Sequence, residues 1–196
     1  MRHALITVML VLALPALAQA DAATDIVKIF GRDPGQGAAH ACFIRHYTKS
    51  HMASHPDQNV IDMMLYVNKQ NGPDAYYNLN MQVNFRHLNK PFQVSGSCSA
   101  GADGKSALGC GVECDGGSLS VRVRNETSLL VDIPDSVRIY DPSSDDDTPD
   151  VELPKGARFG ADDKLFRLDR TDLKDCLPVI YDEEIKASVK QGVTTQ

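Results

Sequence analysis

Tryptophan, a basic surplus and a second long apolar run are all missing from this chain. Without tryptophan, and with aromatic residues making up only 6% of its 196 residues, the chain is a poor candidate for a broad aromatic platform that stacks sugar rings. The formal net charge of −6 at pH 7 disfavours nucleic acid as a partner, because nucleic acid requires a clustered basic surface. After the first twenty residues, no apolar stretch is long enough to cross a bilayer as a helix. We therefore expect no nucleic-acid partner and no membrane span.

The first twenty residues have the pattern of a signal peptide. Arg2 and His3 form a short basic front, residues 6–14 are an apolar run, and residues 18–20 supply the small-residue pattern that precedes a cleavage site. We expect cleavage near Ala20 and a soluble mature protein that is periplasmic or secreted.

The remainder divides by composition into three parts. Frequent glycine and proline predict an irregular N-terminal arm over residues 21–38. Residues 39–180 are predicted to form a single β domain, since a chain of this length suits one domain with its own core. Residues 181–196 have poor apolar content and are predicted to be a helical or frayed tail.

Five cysteines follow the predicted cleavage site, and in an oxidising compartment they form disulfides by default. Five cysteines with one left over can pair in fifteen ways, so spacing alone does not determine the connectivity. The strand pattern described below brings Cys98 near Cys110, which favours a cross-strand bridge. A bridge between Cys42 and Cys176 would then tie the first strand to the C-terminal turn and leave Cys114 free. The alternative is a thiolate metal site of Cys98, Cys110 and Cys114, which lacks the C-x2-C spacing of zinc sites.

Alternation of apolar and polar residues begins at residue 60 and indicates strands with one buried face. The clearest case is residues 77–85, where apolar side chains occupy one face and mostly amide side chains the other. The same phase continues through about eight strands separated by turn signals. We therefore predict an all-β, antiparallel, up-and-down meander that closes into a lipocalin-like barrel or, as second choice, packs as a sandwich.

The apolar faces also predict how successive strands pair, because residues directly opposite each other in an antiparallel pair share a face. A two-residue turn at residues 89–90 would place Met81 opposite Cys98. The next hairpin requires an odd-numbered loop, closed by Gly104 in a left-handed conformation. A second two-residue turn, at residues 115–116, would keep the following strand in phase.

Four histidines cluster within sixteen positions and are candidate metal ligands: His40, His46, His51 and His55. A helical turn starting at Ser50 would place His51 and His55 on one face, which suits two imidazoles on one metal ion. The glutamate of an H-E-x-x-H motif is absent, so we interpret all four as solvated side chains. A nucleophilic pair of Cys42 with a histidine is disfavoured because Cys42 is expected to be bridged. We assign no catalytic, cofactor-binding or metal residue and expect no cofactor.

An acidic segment over residues 141–152 is predicted to be an exposed loop. Its carboxylates are Asp141, Asp145, Asp146, Asp147, Asp150 and Glu152. Calcium requires several converging oxygens, and the segment lacks the central glycine and the alternating acids of an EF-hand loop. We interpret it as a solvated charge run.

Two short segments carry a resemblance. HMASHPDQNV at residues 51–60 and GVECDGG at residues 111–117, behind a signal peptide, resemble small exported bacterial proteins of no assigned function. The resemblance covers about half of the chain and implies no activity.

These patterns together predict a non-enzymatic binding or structural module of the periplasm. Its binding loops would be residues 51–58, 68–76 and 141–152, and its partner a small molecule or a periplasmic protein. Two alternatives are an inhibitor of a secreted hydrolase, with one of these loops as a plug, and a metal-binding protein that uses the histidines. A barrel interior filled by side chains such as Met81 and Phe85 would argue against an internal ligand.

Overall fold

The computed structural model describes residues 16–72, 76–101, 104–144 and 153–192, with side chains from residue 23 onward. Eight antiparallel strands follow one another in sequence order around a closed barrel, and the eighth strand pairs with the first. The strands are β1 (Ala39–His46), β2 (Val60–Lys69), β3 (Tyr77–Phe85), β4 (Phe92–Ala100), β5 (Leu108–Val112), β6 (Ser118–Asn125), β7 (Ser128–Asp132) and β8 (Leu165–Thr171). The helices in the described ranges are α1 (Ala16–Phe30), α2 (Lys49–Ser54), α3 (Glu183–Gln191) and a 3-10 helix (Leu173–Val179). The predicted up-and-down barrel is confirmed.

The apolar face of the strands fills the inside of the barrel. Met81 and Phe85 are fully buried, and Leu119 is 3% exposed. An eight-stranded barrel is only wide enough for its interior side chains or one small ligand, and here side chains from all eight strands occupy it. The interior is therefore a packed core.

The faces of the strands match the prediction, but two hairpin registers do not. Met81 lies opposite Val94, and Cys98 lies opposite Tyr77 instead of Met81. The connection between β3 and β4 therefore spans residues 86–91, longer than the predicted two-residue turn. A register shift by an even number of residues leaves every side chain on the same face, so the apolar pattern cannot distinguish the two pairings.

The two hairpins that follow show one success and one error. Ala100 lies opposite Leu108, and Gly104 has a φ of 67°, so the odd-numbered loop with a left-handed glycine is confirmed. The next turn spans residues 113–117, longer than predicted, because Cys114 and Asp115 both adopt left-handed backbone conformations. Here too the shift in register is even, and the apolar face is retained.

Helix α1 closes one end of the barrel, so the prediction of an irregular arm over residues 21–38 is wrong for its first part. Ile26, Ile29 and Phe30 are buried against the interior core. Their spacing is that of one face of a helix, a signal that the following glycines and proline obscured. Arg170 of β8 donates hydrogen bonds to two carbonyls in the last turn of α1, which ties the helix to the barrel wall.

The long connection between β7 and β8 covers the opposite end. Its Asp163 is fully buried, and the carboxylate accepts hydrogen bonds from the backbone N–H groups of Asn59, Val60 and Gly160, the shortest at 2.7 Å. Phe159 packs against the aromatic side chains of the core. Backbone donors thus satisfy the buried carboxylate and fasten two loops to each other.

The C-terminal segment, residues 173–191, packs on the outside of the barrel as the 3-10 helix and α3. It covers a second apolar cluster formed by Cys42, Tyr66, Cys176, Val179, Ile180 and Val189. Asp182 caps the start of α3, and Gly192 ends it with a φ of 72°. The tail is therefore helical through residue 191. In the described residues, no helix has both the length and the apolar character needed to cross a bilayer.

Candidate functional site

The register of the barrel aligns uncharged polar or small residues in a row across the outer faces of five strands. His40 of β1 lies opposite Asn68 of β2, and Asn68 lies opposite Asn78 of β3. The row continues through Ser97 of β4 to Gly111 of β5. Because neighbouring strands are about 4.8 Å apart, the row is about 19 Å long. We call these five residues the polar row.

A group of hydroxyls and one amide lies on the outer face of β4, beside the polar row. The hydroxyl oxygens of Tyr140 and Tyr181 are 2.6 Å apart, and Tyr181 donates to Gln93 Oε1 at 2.8 Å. Two backbone hydrogen bonds between Tyr140 and Gln93 hold Tyr140 beside β4, in line with β5. Tyr140 is 37% exposed and Tyr181 is 45% exposed, so both residues are partly accessible to solvent.

The C-terminal segment forms a wall along this surface. Asn80 Nδ2 donates to the carbonyl oxygen of Val179 at 2.9 Å, and Gln93 Nε2 donates to that of Pro178 at 3.2 Å. Residues 69–71, at the end of β2, border the surface on the opposite side. We call the space between these two walls the outer groove, and His40, Asn68 and Asn78 of the polar row line its floor.

Two titratable side chains in the outer groove, those of His40 and Tyr66, form an uncharged pair. His40 Nδ1 and the Tyr66 hydroxyl are hydrogen-bonded at 2.7 Å. Burial, with a smaller contribution from Arg32, lowers the pKa of His40, and burial raises the pKa of Tyr66. Both side chains are therefore uncharged near pH 7.

The four histidines predicted as candidate metal ligands lie in three separate places. His40 lies in the outer groove, His46 Nδ1 is 2.8 Å from Asp62 Oδ2, and the rings of His51 and His55 stack with centroids 4.0 Å apart. The rings of the last two lie side by side as predicted, although His55 is the C-cap of α2 and lies just outside the helix. In the described part of the chain, no group of three or more histidine, cysteine, aspartate or glutamate side chains is arranged to hold a metal ion.

The cysteines adopt the pairing favoured from the sequence. Cys98 is bridged to Cys110, Cys42 is bridged to Cys176, and Cys114 is an exposed free thiol. A thiolate metal site would require Cys98 and Cys110 to be free, and a Cys42 nucleophile would require Cys42 to be free. The structure therefore excludes both.

The predicted binding loop over residues 51–58 is fastened to the barrel. Arg86 donates hydrogen bonds to the carbonyl oxygens of Met52, His55 and Gln58, at 2.6, 2.8 and 2.7 Å. These contacts hold helix α2 and the residues after it in one conformation.

The two other predicted binding loops are described in part. In the segment 68–76, residues 73–75 lie outside the described residues, and residues 68–71 line the outer groove. In the acidic segment, Asp145 through Glu152 lie outside the described residues. Asp141 is paired with Lys90, and hydrogen bonds from Lys90 and Ser143 lower the pKa of Asp141 to about 2.

The outer groove was not predicted from the sequence, although one signal for it was present. The alternation in β3 places amide side chains on the outer face, and Asn78 belongs to that set. The rest of the polar row comes from strands distant in sequence, and only the register brings them beside Asn78.

No family model, no curated protein and no solved structure matches this chain. The chemistry of the outer groove therefore provides the basis for assigning a function.

Proposed function

We propose that this protein is an exported, non-enzymatic binding module whose ligand lies in the outer groove. The observation that carries this proposal is the contrast between a packed interior and an open groove lined by both polar and apolar side chains. A lipocalin-like site inside the barrel would require the space that buried side chains such as Met81 and Phe85 occupy. The outer groove instead presents hydrogen-bonding groups and two exposed tyrosine rings on a rigid sheet, which suits binding without reorganisation.

Export is supported by the signal-peptide pattern, by the resemblance to exported proteins and by the two disulfides. Expression of the full chain in a Gram-negative host, followed by fractionation and intact-mass measurement, tests it. We expect periplasmic protein that lacks about twenty N-terminal residues and has one alkylatable thiol, that of Cys114. Uncleaved protein in the cytoplasm with five reactive thiols would contradict export.

Binding is tested by thermal denaturation with four classes of probe: neutral oligosaccharides, heparin, an uncharged peptide and palmitate. A ligand that binds only the folded state raises the melting temperature in a saturable way. We expect one class to do so. Asn78→Trp should abolish the effect, since Asn78 lines the floor of the outer groove and a large side chain there obstructs it.

The matched control is Ser120→Trp. Ser120 lies on the outer face of β6, outside the polar row, so this variant should respond to the probe as the parent protein does. A response that persists in Asn78→Trp, or the absence of a response to every class, would contradict a binding function for the outer groove.

A further inference from the structure

We infer that the ligand of the outer groove is an extended peptide segment of a partner protein, and that this segment carries both acidic and basic side chains. This inference rests on the proposed binding function and adds the chemical class of the ligand. It follows from the size of the groove, the amides on its floor, the two signs of charge that line it and the exposed side chains beside it.

The size of the outer groove favours a polymer over a small molecule. The groove has a volume of about 1740 Å³, whereas pockets for small molecules are roughly 300–1,000 Å³. A second row of lining residues crosses the sheet, since Tyr66 lies opposite Asn80, and Asn80 lies opposite Ser95. The N–H group of Glu113, just after β5, donates to the carbonyl oxygen of Ser95 and extends this row. With neighbouring strands about 4.8 Å apart, the row is about 14 Å long, the span of about four extended peptide residues.

The side-chain amides on the floor match the main chain of a peptide. A peptide unit offers one N–H donor and one C=O acceptor, and an asparagine side chain offers two N–H donors and an oxygen with two acceptor positions. Asn78 Nδ2 donates to Asn68 Oδ1 at 3.3 Å, and Asn80 Nδ2 donates to the carbonyl oxygen of Val179 at 2.9 Å. Each contact uses one N–H group, so these amides keep donor and acceptor capacity for a peptide unit. Because the barrel is closed, a peptide cannot join the sheet as an extra strand, and side chains must recognise its main chain.

Charges of both signs line the groove and select against ligands of one charge. Glu113 and Asp182 supply exposed carboxylates, and these would repel an anionic polymer or a fatty acid. Arg138 and Arg158 supply exposed guanidinium groups, and a neutral oligosaccharide would offer no charged partner to either sign. A peptide can carry acidic and basic side chains within a few residues and place each opposite its complement. Charge complementarity therefore favours a peptide with both signs of charge.

The exposed side chains beside the floor are of the types that protein interfaces use. Tyrosine and arginine are enriched among the residues that contribute most to binding between proteins, and Tyr140, Tyr181 and Arg138 are exposed at this groove. Hydrogen bonds between the two tyrosine hydroxyls, and from Tyr181 to Gln93, hold these side chains in place before a ligand binds. This order reduces the entropy lost on binding. Half-buried Ile185 adds apolar surface for an apolar side chain of the peptide.

Selection from a displayed library of random linear peptides, each about twelve residues long and so able to span the groove, tests the inference. Synthetic copies of the enriched peptides are then titrated by calorimetry against the disulfide-bonded protein. We expect saturable binding by peptides that carry both acidic and basic residues. An uncharged peptide supplies only the main chain and should bind about tenfold more weakly. Alkylation of the free thiol of Cys114, which lines the groove, should become slower as the peptide is added.

Two variants with reversed charge locate the bound peptide. Arg138→Glu should weaken binding by about tenfold, and replacing an acidic residue of the peptide with lysine should restore it. Arg124→Glu is the matched control, because Arg124 is exposed on β6 and is not among the groove-lining residues. Its affinity should stay within about twofold of the parent protein. Asn78→Trp should abolish binding, and circular dichroism and melting temperatures confirm that all three variants are folded.

The possible results separate the ligand class from the binding function. If the enriched peptides bind Asn78→Trp as tightly as the parent protein, or bind Arg138→Glu and Arg124→Glu equally well, the inference is wrong. If no peptide binds, while an oligosaccharide, heparin or palmitate stabilises the parent protein and not Asn78→Trp, the ligand class is wrong and the binding function stands. If no probe and no library peptide binds, both proposals fail.

Discussion

The protein contains two apolar clusters built in different ways, one inside the barrel and one on its outer surface. The interior cluster draws on all eight strands, and its disulfide, Cys98–Cys110, joins neighbouring strands 12 positions apart in sequence. The outer cluster depends on a single segment lying over β1 and β2, and its disulfide, Cys42–Cys176, joins positions 134 residues apart. The interior is held by a continuous sheet, whereas the outer cluster is held by one covalent link and a few contacts.

This difference matters for the proposed function, because the C-terminal segment that covers the outer cluster also forms one wall of the outer groove. The carbonyl oxygens of Pro178 and Val179 accept hydrogen bonds from amides on the groove side. Changes to the outer cluster should therefore disturb the groove before they disturb the barrel. The following predictions test that order.

The largest effect should come from the long-range disulfide. In the chain-entropy treatment, removing Cys42–Cys176 with paired Cys→Ala substitutions costs about 5 kcal/mol, and removing Cys98–Cys110 costs about 3 kcal/mol. We also expect the first change, and not the second, to release the C-terminal segment. Urea denaturation measures the cost, and hydrogen exchange of residues 173–191 measures the release. Equal losses, with the segment still protected, would show that the outer cluster does not depend on its disulfide.

The second-largest effects should come from cavity-forming substitutions, which should have different consequences in the two clusters. Met81→Ala in the interior and Ile180→Ala in the outer cluster both remove fully buried side chains, and such changes cost about 2–5 kcal/mol. For Met81→Ala we expect loss of global stability. For Ile180→Ala we expect exchange to increase mainly in the C-terminal segment, because that segment can open without unfolding the barrel. A global effect of both variants would indicate a single cooperative unit.

A smaller effect is expected from the hydrogen bond between Asn80 and the C-terminal segment. Asn80→Ala removes the 2.9 Å contact with Val179 and should cost about 1 kcal/mol, the net value of one such bond. Urea denaturation and hydrogen exchange at residues 173–191 measure it. Gln82→Ala is the control, because Gln82 lies on the same face of β3 and its side chain accepts a hydrogen bond from Gln93 of β4. The comparison fails if both variants loosen the segment equally.

The smallest expected effect is a pH dependence from His40 in the outer groove, whose side chain is hydrogen-bonded to Tyr66 of the outer cluster. Burial, and then Arg32, lowers the pKa of His40 below its ordinary value of 6.5, so the folded protein binds this proton more weakly than the unfolded chain. Stability is therefore retained above pH 6.5 and lost as pH falls below it. Between about pH 7.5 and about pH 5, the melting temperature of the parent protein should fall more steeply than that of His40→Gln. Identical slopes would show that His40 is not the responsible group.

The sequence was sufficient for the barrel because a strand's two faces are encoded locally. In β3 the apolar side chains of residues 77–85 alternate with amides, and a period of two residues identifies both faces without knowledge of the neighbours. The same property concealed the register, because shifts by two residues preserve the faces. The turn lengths depended on residues with a left-handed backbone conformation, such as Cys114. No strong turn motif in the sequence predicted that conformation. Helix α1 was missed because its three buried side chains are a short signal beside glycines and proline.

For the candidate site, unlike the barrel, the tertiary structure contributed more than the sequence. The sequence by itself determined a β chain with strands that are polar on their outer face, since this feature follows from local pattern and composition. The tertiary structure alone decided that His40, Asn68, Asn78, Ser97 and Gly111 form one row, and that the C-terminal segment borders it. The physical reason is that strand pairing joins residues far apart in the chain, and no local pattern records which of them become neighbours.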